Sequence, residues 1–75
     1  MANRQTPQFL VGVHVLSGWQ VGYVVNTNGS ITLGRSLSAD QHNAAYSAIE
    51  RLRACVAMTR VDCEFGIRVD RVEAA

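Results

Sequence analysis

Residues 9–26 read FLVGVHVLSGWQVGYVVN, and this stretch decides the fold. Phe9, Val11, Val13 and Val15 alternate with Leu10, Gly12, His14 and Leu16, the two-residue period of a strand with one buried face. Ser17-Gly18 has the brevity of a hairpin turn, and Trp19, Val21, Tyr23 and Val25 then alternate in the same way. The spacing predicts antiparallel strands over 8–16 and 19–26. Further on, Asn26-Thr27-Asn28-Gly29 supplies an Asn-Gly hairpin signal before a third strand over 30–36, where Ile31 and Leu33 continue the apolar face. Val61, Cys63, Phe65, Ile67 and Val69 alternate across 61–70 and predict a fourth strand.

Between the third and fourth strands the period changes. Ser38-Ala39-Asp40-Gln41 reads as a capping box, with Ser38 at the N-cap, Gln41 three residues on and acidic Asp40 in the first turn. Ala45, Ala48, Ile49, Leu52, Cys55 and Val56 recur at three and four residues, so a helix with one apolar stripe is expected to about Ala57. The expected fold is α+β, in the order β-β-β-α-β. It is a four-stranded mixed sheet of order 3-2-1-4, with one helix on one face and a right-handed crossover setting strand four parallel to strand one.

One helix covers only one side of such a sheet. The open face is expected to hold Leu10, Gly12, His14 and Leu16, then Gln20, Gly22, Val24 and Asn26, then Thr32, Gly34 and Ser36. Asp62, Glu64, Gly66, Arg68 and Asp70 would complete it from strand four. Each strand contributes one interior glycine to this face: Gly12, Gly22, Gly34 and Gly66. Two accounts fit them. A bare surface lets another backbone approach closely, and glycine also permits strong twist or a bulge.

The chain of 75 residues is expected to form one small domain, 1–75, with residues 1–7 as a flexible polar lead-in closed by Pro7. A chain of this size buries only ~60% of its unfolded surface, so a partner or a second copy would add stability. The hydrophobic share of 48% argues against disorder. A net charge of +1 gives little attraction to nucleic acid or an anionic membrane. All seven cationic residues are Arg, the cation best suited to bidentate interface contacts. The N-terminal residues lack a signal peptide's apolar segment, and no run reaches the ~20 apolar residues of a membrane span. Two cysteines make no secreted disulfide framework, so a cytoplasmic location is expected.

No catalytic constellation is visible. His14 and His42 are the only histidines; His14 falls on the open face and His42 in the helix's first turn, as contact or surface residues. Cys55 and Cys63 both point toward the expected core, where thiols are inert. Metal-ligand spacings and a phosphate-cradling glycine loop are absent, so neither metal nor cofactor is expected. Asp62, Glu64 and Asp70 along one strand read as a solvated edge that discourages aggregation. Phe9, Trp19, Tyr23 and Phe65 all fall on the core side by parity, so a base-stacking platform, and with it direct nucleic-acid binding, is not expected. Tyr46, on the helix flank, is the exposed aromatic.

The β-β-β-α-β order, with Asn43-Ala44-Ala45-Tyr46 opening the helix and Thr59-Arg60-Val61-Asp62 entering the next strand, resembles the first half of an RNase H-like fold over about 9–70. That resemblance implies carboxylates in strand one, near the helix start and at the end of strand four. Here His14, then Asn43 and Tyr46, stand at the first two places and only Asp70 has a counterpart, so a degenerate nuclease is the third-ranked reading. Among proteins with this half-fold, the chain is similar to HicB-like antitoxins in size and in the Gly34-to-helix junction, which implies a toxin partner and dimerisation. In size and simplicity it is also similar to anti-CRISPR proteins and other small phage-encoded inhibitors. The leading expectation is a non-enzymatic inhibitor from a phage or mobile element that binds a host protein or complex, with a HicB-like antitoxin second. His14, Arg35, Tyr46 and Arg68 are the expected partner contacts. Self-association is expected through the open face or an exposed sheet edge, most simply as a two-fold homodimer, with Leu10, Gly12, Leu16, Gly22, Val24, Gly34 and Gly66 as the expected interface.

Overall fold

Alternation produces β1 at Pro7–Val15 and β2 at Gly18–Asn26, joined through Leu16 and Ser17 with Gly18 at φ 116°. The computed structural model describes residues 6–72. Of the expected lead-in, residues 1–5 lie outside the described residues, while Pro7 already opens β1. Gly29, at φ 87°, lets the next turn close with its N–H on the Asn26 carbonyl at 3.0 Å. β3 is shorter than its pattern, Ile31–Leu33.

The helix α1 runs Ala39–Ala54. Both halves of the capping box form: Ser38 Oγ accepts from the Gln41 N–H at 3.2 Å, and the Ser38 N–H donates to Gln41 Oε1 at 3.1 Å. The helix stops three residues before the expected end, with Cys55 extended at the C-cap. Cys55 and Val56 are therefore off the apolar stripe and exposed, contrary to the sequence reading.

The expected fourth strand is two strands. β4 spans Arg60–Asp62 and β5 spans Ile67–Arg71, paired antiparallel with Val61 opposite Val69. Phe65 (φ 61°) and Gly66 (φ 70°) both take left-handed backbone, and the Ile67 N–H closes the turn on the Glu64 carbonyl at 3.3 Å. The chain thus reverses where unbroken alternation had suggested a straight run. Phe65, expected in the core, is exposed at this turn. Left-handed backbone at a non-glycine residue costs on the order of 1–3 kcal/mol. Two bonds hold it: Gln41 Nε2 donates to the Phe65 carbonyl at 3.2 Å, and the His14 N–H to the Gly66 carbonyl at 2.7 Å.

The result is α+β, with a five-stranded sheet of order β3-β2-β1-β5-β4 and every neighbouring pair antiparallel. The expected parallel neighbour of β1 is replaced by antiparallel β5. The helix crosses to β4 at the far edge instead. Ala45, Ala48, Ile49 and Leu52 of α1 meet Phe9, Val11, Val13, Tyr23, Val25, Val61, Ile67 and Val69 in one core.

A bulge alters β2. Val11 lies opposite Tyr23 while Gly12 lies opposite Val21, so Gly22 is one residue too many for its partner strand. A Cβ on Gly22 would meet the Val11 carbonyl at 3.2 Å and Leu37 Cδ1 at 3.4 Å, which places this glycine against the core layer. Below the bulge, parity is reversed. Trp19 and Val21, expected in the core, emerge on the open face opposite His14 and Gly12.

Candidate functional site

The open face is centred on Trp19. The indole lies over β1 at Gly12, where a Cβ would make ordinary contact with Trp19 Cε3 at 3.6 Å. The Arg68 guanidinium stands 4.6 Å from the indole centroid, within cation–π range. The His14 ring meets the indole edge-on at 5.1 Å and 66°. Asp70 fixes the arginine, accepting from Arg68 Nε at 3.2 Å. Leu10, Gly12, Trp19, Val21, Arg68 and Asp70 line a depression of about 180 Å³, and Trp19 remains 46% exposed.

Of the expected contact residues, His14 and Arg68 come together here. Arg35 does not join them; it follows β3, and its Nη1 donates to Gln20 Oε1 at 2.7 Å. Tyr46 lies on α1, across the sheet, stacked on His42 at 5.8 Å and 22°. His42 is itself half-buried, with the Tyr23 hydroxyl 3.4 Å from Nδ1. Burial and the neighbouring Tyr46 push the Tyr23 phenol above its usual value.

The expected interface residues also separate. Leu10 and Val24 face each other on the open side and are half-buried, while Leu16 is fully exposed in the first turn. Among the four glycines only Gly12 is an open-face strand residue; Gly22 is the bulge, Gly34 follows β3, and Gly66 is in the β4–β5 turn. Asn26, expected to be open, is 2% exposed, with Nδ2 donating to Ser30 Oγ and Thr32 Oγ1, both at 3.1 Å. Sequence parity places Trp19, the residue that organises the face, in the core, and the bulge overturns it. The one sequence signal for its true position was the glycine inside β2, which marks a bulge.

A second concavity of about 500 Å³ separates α1 from β4, lined by Asp40, Asn43, Ser47, Arg51, Asp62, Cys63 and Phe65 among others. Cys63 is half-buried in it, and its Sγ lies 3.7 Å from the Val61 carbonyl. Burial pushes this thiol above its usual value, with Arg51 pulling down and Asp62 pushing up. A thiol so placed rests protonated and is a poor nucleophile at neutral pH. Among the described residues there is no group of three or more His, Cys, Asp or Glu placed to hold a metal, and no helix long and apolar enough to cross a membrane.

The two thiols should therefore label at different rates, not slowly together as parity had suggested. With an aromatic disulfide reagent in the native state, exposed Cys55 should react fast and Cys63 slowly. The Cys63 phase should accelerate as pH rises past the ordinary thiol range, because more thiolate then forms. A single fast phase for both thiols would contradict the burial of Cys63.

Comparison with family models, curated proteins and solved structures finds no match to this chain. The functional reading therefore rests on the site itself.

Proposed function

We propose that the protein is a non-enzymatic inhibitor that acts in the cytoplasm by binding a host protein complex through its open sheet face; an anti-CRISPR protein is the sharpest form of this reading. The observation that supports it is the Trp19–Arg68 pair, flanked by His14 and by apolar Leu10 and Val21 on a face that α1 leaves open. Tryptophan and arginine dominate the energetics of protein interfaces because each offers a large, rigid contact area with a polar handle. Asp70 holds the guanidinium in place before any partner arrives, which lowers the ordering cost of association. Near-neutral charge favours a protein surface over a polyanion as the target.

Expression in bacteria with active CRISPR–Cas immunity should restore plating of a phage that the immunity targets. Trp19→Ala and Arg68→Glu should each weaken binding to the blocked complex by roughly thirtyfold or more, the loss of about 2 kcal/mol typical of an interface anchor. Their circular dichroism should match the parent's. If no immune complex is bound and the chain instead neutralises a toxin encoded beside it, the antitoxin reading replaces this one. Failure of both assays overturns the proposal.

A further inference from the structure

The two edges of the sheet differ. At β4 the outward residues are charged: Arg60 and Asp62 are exposed, and Glu64 follows them. Charges at an edge deter strand addition. At β3 the segment Ser30-Ile31-Thr32-Leu33-Gly34 contains neither charge nor proline.

The hydrogen-bond parity of β3 shows which groups face outward. The Asn26 N–H donates to the Ser30 carbonyl at 2.8 Å, the Gly34 N–H donates to the Gly22 carbonyl at 3.1 Å, and Thr32 lies opposite Val24 between them. Residues 30, 32 and 34 thus turn their backbone groups toward β2. Ile31 and Leu33, at the alternate positions, turn theirs to the free edge. Their side chains lie opposite Val25 and Tyr23, on the helix side of the sheet. Because α1 packs over β4 and β5, they stay 41% and 78% exposed.

We propose that β3 is a self-association edge, on which two copies of this chain pair antiparallel about a two-fold axis through Thr32. The register is self-complementary. With Thr32 facing Thr32 of the second copy, Ile31 lies opposite Leu33 of the second copy and Leu33 opposite Ile31. These are the residues whose N–H and C=O point outward, so four backbone hydrogen bonds form without disturbing the bonds to β2. Two Ile–Leu cross-strand pairs form on the helix side, where each copy leaves them uncovered. A two-fold axis uses the same patch twice, as a closed dimer requires. Antiparallel edge pairing sets that axis perpendicular to the sheet, so both open faces lie on one side of a ten-stranded sheet. The dimer forms whether or not the open face takes a partner, so this inference stands apart from the functional proposal. Of the two surfaces expected for a homodimer, the open face and an exposed sheet edge, it selects the edge.

The test is sedimentation equilibrium on the full chain, with Leu33→Pro and Ile31→Lys beside the parent. The parent is expected at twice the 8.2 kDa chain mass. Leu33→Pro removes an N–H that no bond to β2 uses, and its ring suits an edge strand. Each dimer loses two such bonds and two leucine contacts, so dissociation should strengthen by more than about tenfold. Ile31→Lys places a cation on the edge and should dissociate the dimer while keeping the parent's circular dichroism. Hydrogen exchange on the parent gives a reading independent of any variant: the Ile31 and Leu33 amides should be protected, and more so at higher concentration. A parent at the single-chain mass at NMR concentrations overturns the proposal. So do a dimer unchanged by both substitutions and fast exchange of both amides.

Discussion

Arg71→Ala should be among the most destabilising single substitutions of an exposed or half-buried side chain in this protein. The Arg71 guanidinium reaches from β5 to the end of α1, donating through Nη2 to the carbonyls of Leu52 and Cys55 and through Nε to the Met58 carbonyl at 3.1 Å. The last carbonyls of a helix have no partner within it, and a cation there also meets the negative end of the helix dipole. The same guanidinium lies 5.6 Å from the Phe9 ring centroid, so its plane also covers part of the core. A hydrogen bond to a charged group contributes a net ~1.5–3 kcal/mol, and the half-buried position and shared geometry keep the three together well below their sum. A total loss of about 2–4 kcal/mol is expected, which for a domain of this size lowers Tm by roughly 10–30 °C. Arg71→Lys should recover only part of it, because one ammonium cannot match three carbonyls that a planar fork reaches together. Thermal melts followed by circular dichroism decide the matter. An Arg71→Ala variant melting within a few degrees of the parent would show that the helix end is held by packing alone.

The second large effect is expected at Gly34. A Cβ there would lie 3.0 Å from the carbonyl oxygens of both Val21 and Gly22. Neither oxygen belongs to a side chain that could swing aside. The Gly22 carbonyl is already committed, accepting from the N–H groups of Gly34 and Arg35 at 3.1 and 2.9 Å. Gly34→Ala must push β3 away from the bulge, at a cost of about 1–3 kcal/mol, and Gly34→Val should cost more. Gly12→Ala is the matched control. Its Cβ would make only ordinary contacts at 3.6 Å with the Arg68 carbonyl and Trp19, so it should stay close to the parent. Urea denaturation of the three variants separates the accounts. Equal costs at positions 12 and 34 would mean that loss of glycine, not the close approach of carbonyls, sets the penalty.

What was legible in the sequence was local. Ser38 and Gln41 are three residues apart and satisfy each other within one turn, so their pattern is nearly their structure. Phe9, Val11 and Val13 alternate and are buried; Asn28-Gly29 promised a hairpin and one forms. What stayed hidden depends on counting residues against a partner strand. The bulge at Gly22 exists only relative to β1, and it decides on which side Trp19 emerges. The β4–β5 turn was concealed because Phe65 is a poor residue for left-handed backbone and perpetuates the strand pattern. Arg71 could not be told from the other six arginines, since its partners are carbonyls, and carbonyls leave no mark on a sequence. The candidate site is half visible in the sequence: parity puts His14 and Arg68 on the open face but hides the indole that both of them touch.

The position of β5 has a consequence for how the protein is made. Among the described residues it is the last strand in sequence, yet it lies inside the sheet, between β1 and β4, with Arg71 opposite Phe9. A ribosome that has delivered everything through β4 has released a three-stranded meander, a helix and an edge strand that do not yet share a sheet. During that interval the flank of β1 offers unpaired backbone to any passing strand, its own or a neighbour's. Closing the gap joins residues far apart in sequence, such as Phe9 and Arg71, the kind of distant pairing that slows folding. The sheet should therefore form all at once when β5 joins β1, and a chaperone that shields strand edges should raise the yield more than one that favours helices.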